Sequence, residues 1–321
     1  MSDKIAIIDM GTNTFHLLLA EARETGRYNI TQRDRIAVKI GKGGINHGYI
    51  TAEGIERALR AMSTFKSGIE QQGIKSIYAF GTSALRSASN CREVLQRIKD
   101  ATGIDATVIS GEMEAEYIYY GVRSALSMGD EKGLIVDIGG GSVEFIIGND
   151  TQMFWKESIE IGAQRLLEQF HKHDPITIEE IQALDQYFFT KLDTLFKALQ
   201  RHPTTVLIGA SGTFDTLSDI YCYQQSVKKG EYDPETPLTL EGFHFIYKEL
   251  ISKSRAQRMQ IPGMIEMRVD MIVVACCLVR YLLSRHRFDI IRVSSYSLKE
   301  GVLASFNQQL KSASACIQDI I

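Results

Sequence analysis

Residues 134–147 read LIVDIGGGSVEFII, and residues 5–20 read IAIIDMGTNTFHLLLA. In each stretch an apolar run reaches Asp, passes through a turn of small residues and resumes as a second apolar run. The turns are Asp9-Met10-Gly11-Thr12-Asn13-Thr14 and Asp137-Ile138-Gly139-Gly140-Gly141-Ser142. Each reads as strand, turn, strand: a hairpin whose tip is rich in backbone N–H groups and small hydroxyls. Glycine lets backbone approach a ligand closely, and a concavity of N–H groups binds anions. A single Gly-rich hairpin is ordinarily only a tight turn. Two of them, each led by Asp, predict a phosphate chain gripped from both sides. The commoner phosphate loops, G-x-x-x-x-G-K-[ST] and G-x-G-x-x-G, open helices; neither pattern occurs here.

Working outward, the first half reads as strands Lys4–Asp9, Phe15–Ala20 and Ile30–Val38, then a helix over Ala52–Gln71. That helix has Ile55, Leu59, Met62, Phe65 and Ile69 at helical spacing. Strand Ser76–Phe80, helix Arg92–Ala101 with Gly103 past its end, strand Ala106–Ile109 and helix Glu112–Ala125 follow. The second half repeats the theme. Strands Gly133–Asp137, Val143–Ile147 and Met153–Ile159 precede one long helix, opened by the capping box of Thr177 and Glu180 and ending near Arg201. Strand Thr205–Ile208, a turn Gly209-Ala210-Ser211-Gly212-Thr213, further helices, strand Asp289–Val293 and a closing helix Leu298–Gln309 complete it. Gln224–Thr236 reads as a surface loop.

Both halves therefore read β-β-β-α-β-α-β-α. The expected fold is α/β: two similar domains, 1–127 and 128–321, duplicated in pattern and not in sequence, with a cleft between them. Ligand sites favour such domain interfaces.

Composition bounds the partners. The chain has 321 residues, 44% hydrophobic, with a formal net charge of −3, so it lacks the basic footprint of a nucleic-acid binder. Its five cysteines include no C-x-x-C pair, which argues against a disulfide scaffold or a Cys-ligated zinc and for a reducing cytoplasm. Met-Ser-Asp-Lys leads into a strand without a signal-peptide core. The apolar stretch Met271–Leu283 is too short to span a bilayer and reads as a buried core helix. No membrane partner is expected.

The residues resemble a known family. The paired hairpins look like the duplicated, ribonuclease H-like ATPase fold of actin, sugar kinases and Hsp70. More narrowly, the chain is similar to the exopolyphosphatase and guanosine pentaphosphate phosphohydrolase family. The stretches that carry the resemblance are IDMGTNTFHLLL from Ile8, GTSALRSASN from Gly81, ISGEMEAEYIYYGV from Ile109, VDIGGGSVE from Val136, GASGT from Gly209, RVDMI from Arg268 and SLKEG from Ser297. The chain departs from the family at His16 and Lys299, where Arg is common. It departs again at Met113, where the family pairs two Glu, and at Ala275, where a glycine is usual; Ala275 would crowd a nucleoside pocket and so favours a polymer. The resemblance also implies extra C-terminal helical domains in longer relatives, and two domains alone are expected here.

Hydrolysis of a terminal phosphoric anhydride requires phosphates held, their charge neutralised and an in-line water relieved of a proton. Gly11, Thr12, Asn13 and Thr14, then Gly139, Gly140, Gly141 and Ser142, and finally Gly212 and Thr213, are candidate phosphate binders. Mg²⁺ prefers oxygen ligands and takes one or two carboxylates; Asp137 and Glu144, on two arms of one hairpin, and Asp9 in the matching place are its candidate ligands. Arg86, read as lying in a loop after a strand, is a candidate for steadying the transferred phosphoryl group. Glu112, Glu114 and Glu116 all fit the first turn of a helix, where acids complement the dipole, and pattern does not choose among them. The resemblance chooses Glu114 as the general base.

Other polar features read as bland: His171 and His173 as a surface pair, Lys39, Lys42, Lys228 and Lys229 as solvated lysines, Trp155, Tyr117, Tyr119 and Tyr120 as packing. The resemblance implies inorganic polyphosphate as substrate, or guanosine pentaphosphate (pppGpp). A kinase and a non-catalytic sensor are the alternatives of other classes. A homodimer would extend a short binding groove.

Overall fold

The computed structural model describes residues 4–23, 27–230 and 233–307. The chain divides into two units. One runs to Ser124 and takes in the segment from Leu298; the other is Ala125–Ser297.

In the first unit, β1 (Lys4–Met10), β2 (Thr14–Ala22) and β3 (Tyr28–Ala37) form an antiparallel meander. Helix α1 (Ala52–Gln71) returns the chain to β4 (Ser76–Gly81), parallel to β1. Short α2 (Ser83–Ser87) and α3 (Cys91–Thr102) lead to β5 (Ala106–Val108), parallel to β4, and α4 (Gly111–Ala125) follows. The sheet order is β3-β2-β1-β4-β5. Thr51 starts α1 by accepting the Gly54 N–H at 3.1 Å, and Gly103 ends α3 in the left-handed region at φ 69°, where only glycine is unstrained. Ile55, Met62, Phe65 and Ile69 of α1 are buried against the sheet residues Ile8, Phe15, Leu17 and Leu19.

In the second unit, β6 (Gly133–Ile138), β7 (Val143–Gly148) and β8 (Met153–Ile159) repeat the meander. Then come α5 (Ala163–Phe170), α6 (Ile178–Lys191), α7 (Asp193–Arg201), β9 (Val206–Ala210), α8 (Ser211–Gln225), β10 (Glu235–Thr236), α9 (Leu240–Ser252), α10 (Arg255–Arg258), α11 (Met271–Arg285) and β11 (Ile290–Ser294). The sheet order is β8-β7-β6-β9-β11, with β10 added at the edge. Both units thus carry three antiparallel strands followed by two parallel ones, in the same spatial order. Every residue of β6 and β7 is buried, which is why both strands read as apolar runs without alternation. Helix α11 is the core helix expected: Met271 to Val279 are all buried.

Several readings are corrected. The long helix from Thr177 is two helices: the capping box is present, but Leu192 adopts φ −106°, ψ 15° and separates α6 from α7. Helix α5 lies where no helix was read. Residues 209–213 are not a turn, since β9 runs through Ala210 and α8 starts at Ser211. Arg86 sits in the short helix α2 and not in a loop. Within Gln224–Thr236, α8 extends to Gln225 and β10 pairs with β11. His171 is not a surface residue, for its side chain is only 5% exposed.

The segment from Leu298, which the sequence pattern places in the second half, groups with the first unit instead. It forms helix α12, described over 298–307. Glu300, 2% exposed, accepts from Arg33 of β3 and from Lys299, both at 3.2 Å. The Tyr28 N–H donates to Asn307 at 2.9 Å, and Phe306 packs on Tyr78 with ring centroids 4.7 Å apart. Gly301 lies on α4 so closely that a Cβ there would stand 1.6 Å from the Tyr117 carbonyl oxygen.

Candidate active site

The two glycine turns are built alike. A Cβ on Gly11 would come within 2.8 Å of the Thr14 carbonyl oxygen, and one on Gly139 within 3.0 Å of the Ser142 carbonyl oxygen. Each tip is also gripped from behind by a segment distant in sequence.

In the second unit the grip comes from the start of α5. The Ala163, Gln164 and Gly162 N–H groups donate to the Gly139, Gly140 and Gly141 carbonyls at 2.9, 2.8 and 3.0 Å. Arg165 Nε adds a bond to the Gly141 carbonyl at 2.8 Å, while its Nη2 holds Glu160 at 2.8 Å. In a trans peptide the C=O and the following N–H point in opposite directions. The N–H groups of Gly140, Gly141 and Ser142 are therefore turned away from α5, three in succession, as an anion-binding concavity requires. The arrangement also satisfies the first N–H groups of α5, which have no partner inside their own helix.

In the first unit the grip comes from the segment after β3. Val38 and Lys39 N–H groups both donate to the Asn13 carbonyl at 2.8 Å, and Gly41 N–H donates to the Thr12 carbonyl at 3.2 Å. Arg57 of α1 braces that segment from outside, donating to the Val38 and Lys39 carbonyls at 2.6 and 2.7 Å. Thr12, Asn13, Thr14 and Ser142 are all buried.

The third candidate segment, at the junction of β9 and α8, behaves differently. Thr213 gives its hydroxyl hydrogen to the Ile138 carbonyl at 3.3 Å. Gly212 is overlaid by Arg268: a Cβ there would stand 2.0 Å from a guanidinium nitrogen. Arg268 brings to this strand–helix junction a cation that is not among the candidate site residues read from the sequence.

The acids separate by register. Asp137 and Glu144 stand directly opposite on β6 and β7, 5% and 1% exposed. Asp9 stands opposite His16 on β2 and beside Phe80 on β4, so its own row of the sheet offers no second carboxylate. Like charges directly opposite on paired strands repel, and burial raises that cost. A hard divalent cation answers both terms, and Mg²⁺, which keeps several waters, needs no more than one or two carboxylates. The Asp137–Glu144 pair fits such an ion. Among the described residues no group of three or more His, Cys, Asp or Glu is placed to hold a metal. Two serines, unremarked in the sequence, hold these acids: Ser158 donates to Glu144 at 2.7 Å and Ser297 donates to Asp137.

On α4 the three acids are no longer equivalent. Glu112 is exposed, and Glu116 accepts the Tyr120 hydroxyl at 2.9 Å. Burial and then Glu116 push the Tyr120 phenol above its ordinary pKa, so it stays a neutral donor. Glu114 is 7% exposed and takes Arg86 Nη1 on Oε2 at 2.8 Å. The structure thus joins the two residues named for chemistry, Arg86 and Glu114, into one pair. Ala275, read as bearing on a nucleoside pocket, is wholly buried in the apolar core of its unit. Of the four lysines, Lys229 is engaged by Asp219 at 2.6 Å.

Residues 19–310 match the model of the Ppx/GppA phosphatase family. A crystal structure described as an exopolyphosphatase from Cytophaga hutchinsonii is 43% identical, with a TM-score of 0.92 over 95% of this chain and 98% of that one. The Ppx/GppA family member from Aquifex aeolicus is 25% identical, with a TM-score of 0.76 over 97% and 99% of the two chains. The guanosine-5'-triphosphate,3'-diphosphate pyrophosphatase of Pseudoalteromonas translucida is 27% identical over 95% of this chain but only 59% of its own length.

Proposed function

The chain belongs to the Ppx/GppA phosphatase family, and on that footing we propose that it hydrolyses the terminal phosphoanhydride of inorganic polyphosphate and releases orthophosphate. The observation that carries the reading is the Arg86–Glu114 pair. A binder or sensor of phosphate has no need of a buried carboxylate fixed in orientation at the first turn of a helix, and a hydrolase does.

In this reading the N–H groups of Gly140, Gly141 and Ser142 and those of the Thr12–Thr14 tip hold phosphate oxygens. Glu114 accepts the proton of the attacking water, a contribution of ~10²–10⁴-fold for a positioned base. Arg86 orients Glu114 and steadies charge on the departing phosphoryl group. Asp137 and Glu144, with Asp9 as a further candidate, are the residues that would hold Mg²⁺, whose chemistry when bound is to neutralise the oxygens of the phosphate chain. The substrate preference is supported by the likeness to the Cytophaga hutchinsonii exopolyphosphatase over nearly the whole of both chains. Guanosine pentaphosphate is the second reading, supported by the likeness to the Pseudoalteromonas translucida enzyme, which extends well past this chain.

Among the described residues no helix is long and apolar enough to cross a membrane. The free thiols Cys91, Cys222, Cys276 and Cys277 support a reducing, cytoplasmic setting; Cys316 lies outside the described residues.

The test is phosphate release with Mg²⁺ from long polyphosphate, short polyphosphate and guanosine pentaphosphate in parallel. Release from polyphosphate that disappears in Glu114→Gln supports the proposal. Release from the nucleotide alone moves the assignment to the second reading, and release from none of them overturns the hydrolase.

A further inference from the structure

The acids of the second unit lie in one lateral row of its sheet. Ser294 of β11 is in register with Ala210 of β9, Ala210 with Asp137 of β6, Asp137 with Glu144 of β7, and Glu144 with Ser158 of β8. Residues in direct register share a face. Ala210 presents only a methyl beside Asp137. Ser297, from the turn after β11, reaches the Asp137 carboxylate.

That turn is held by its own bonds. Ser294, wholly buried, donates its hydroxyl to the Tyr296 carbonyl at 2.8 Å and accepts the Tyr296 N–H at 3.2 Å. Ser297, 8% exposed, thus arrives at Asp137 on a fixed backbone. A hydroxyl has a single hydrogen, and Ser297 gives it to Asp137 Oδ2. On the other side of the pair, Ser158 does the same for Glu144. Each carboxylate therefore has one oxygen committed to a hydroxyl donor, which fixes its rotation about the terminal bond. Groups that orient metal ligands in this way are worth roughly 10–100-fold in metal affinity.

We propose that Ser297 is a positioning residue for divalent-cation loading, its hydroxyl holding the Asp137 carboxylate, opposite Glu144, in the orientation a hard cation requires. The proposal rests on the reading that Asp137 and Glu144 hold the cation, and its test separates the two.

The experiment is binding of Mn²⁺ to the full chain without substrate, followed by electron paramagnetic resonance of the free ion, with Mg²⁺ as competitor. It uses wild type, Ser297→Ala, Ser297→Thr and Asp137→Asn. The expected result is binding weakened about tenfold in Ser297→Ala, recovered in Ser297→Thr, and lost in Asp137→Asn. Wild-type affinity in Ser297→Ala together with loss in Asp137→Asn overturns the role of Ser297 and leaves the cation reading standing. Wild-type affinity in Asp137→Asn, or no binding by the wild type, overturns the cation reading and Ser297 with it. Should Ser297→Ala fail to fold, Ser297→Cys keeps the shape with a weaker donor; it is expected to bind several-fold more weakly than wild type, and unchanged affinity overturns the proposal.

Discussion

Arg86 Nη1 donates to Glu114 Oε2 at 2.8 Å and, at 3.3 Å, to the Ile109 carbonyl. One guanidinium group thus ties the short helix after β4 to the carboxylate at the start of α4 and to the backbone just ahead of it. Orientation of Glu114 depends on a residue 28 positions earlier in the chain.

Replacement of Glu114 by Gln keeps the shape and removes the base. Turnover is expected to fall by ~10²–10⁴-fold while substrate binding, followed by equilibrium titration, persists. Near-normal turnover would remove Glu114 from the mechanism.

Arg86→Ala should lower kcat, and its effect should not add to that of Glu114→Gln. Residues acting as a unit are strongly non-additive, so the double variant is expected close to the worse single one. A product of the two separate effects in the double-variant kinetics would show that Arg86 and Glu114 act independently.

Gly162→Ala should damage the phosphate tip without touching an acid. A Cβ at Gly162 would stand 2.4 Å from both Gly140 C and Gly141 N, so either α5 or the tip must move. Overpacking of this kind costs about 1–3 kcal/mol of stability, read from chemical unfolding. Displaced N–H groups should also raise KM for polyphosphate. An unchanged KM in the folded variant would show that the tip does not hold substrate.

Stability should depend on His171 in mildly acidic solution. Burial, and after it the Arg258 guanidinium, hold the imidazole below its ordinary pKa. Neither ring nitrogen has a hydrogen-bond partner among the described residues, and Asp174 is 3.9 Å away. A lowered pKa means the unfolded chain binds the proton first. The stability contributed by neutral His171 is present above about pH 6.5 and falls as pH drops from there toward the lowered folded value, by at most about 1.4 kcal/mol per pH unit. Asp174 does not confound this window. Burial pushes its carboxyl up, but the Arg255 N–H and the Arg258 guanidinium outweigh it and leave the pKa below the ordinary value, so its contribution is lost only in stronger acid. His171→Leu should therefore lose less stability between pH 7.5 and 5.5 than wild type in urea unfolding. An identical loss would assign the dependence elsewhere.

Strands Gly133–Ile138 and Val143–Gly148 were legible because burial on both faces leaves an unbroken apolar run, and the hairpin tips because glycine and Asp punctuate those runs. Helix α5 was missed because its polar residues, Gln164, Arg165 and Glu168, mask a short apolar face. The break at Leu192 has no Gly or Pro to announce it. Within the site, Asp137 and Glu144 could be found from the tip between them. Ser158 and Ser297 could not, because their relation to the acids is a matter of strand register and of a turn after the last strand. Pattern leaves Glu112, Glu114 and Glu116 equivalent and only the family resemblance chooses Glu114; that Tyr120 occupies Glu116 is a matter of side-chain contact that the pattern does not carry.

The seating of Gly301 against the Tyr117 carbonyl has a consequence for synthesis on the ribosome. The first unit is discontinuous, and the helix that covers this part of α4 is translated only after the whole of Ala125–Ser297. When residue 297 has emerged, every described strand and helix of the second unit has been made, whereas the first still lacks α12, which brings Glu300 to Arg33, Asn307 to the Tyr28 amide and Gly301 to the Tyr117 carbonyl. A nascent chain halted there would carry all the described strands of the second unit while the first unit's α4 still waits for its covering helix.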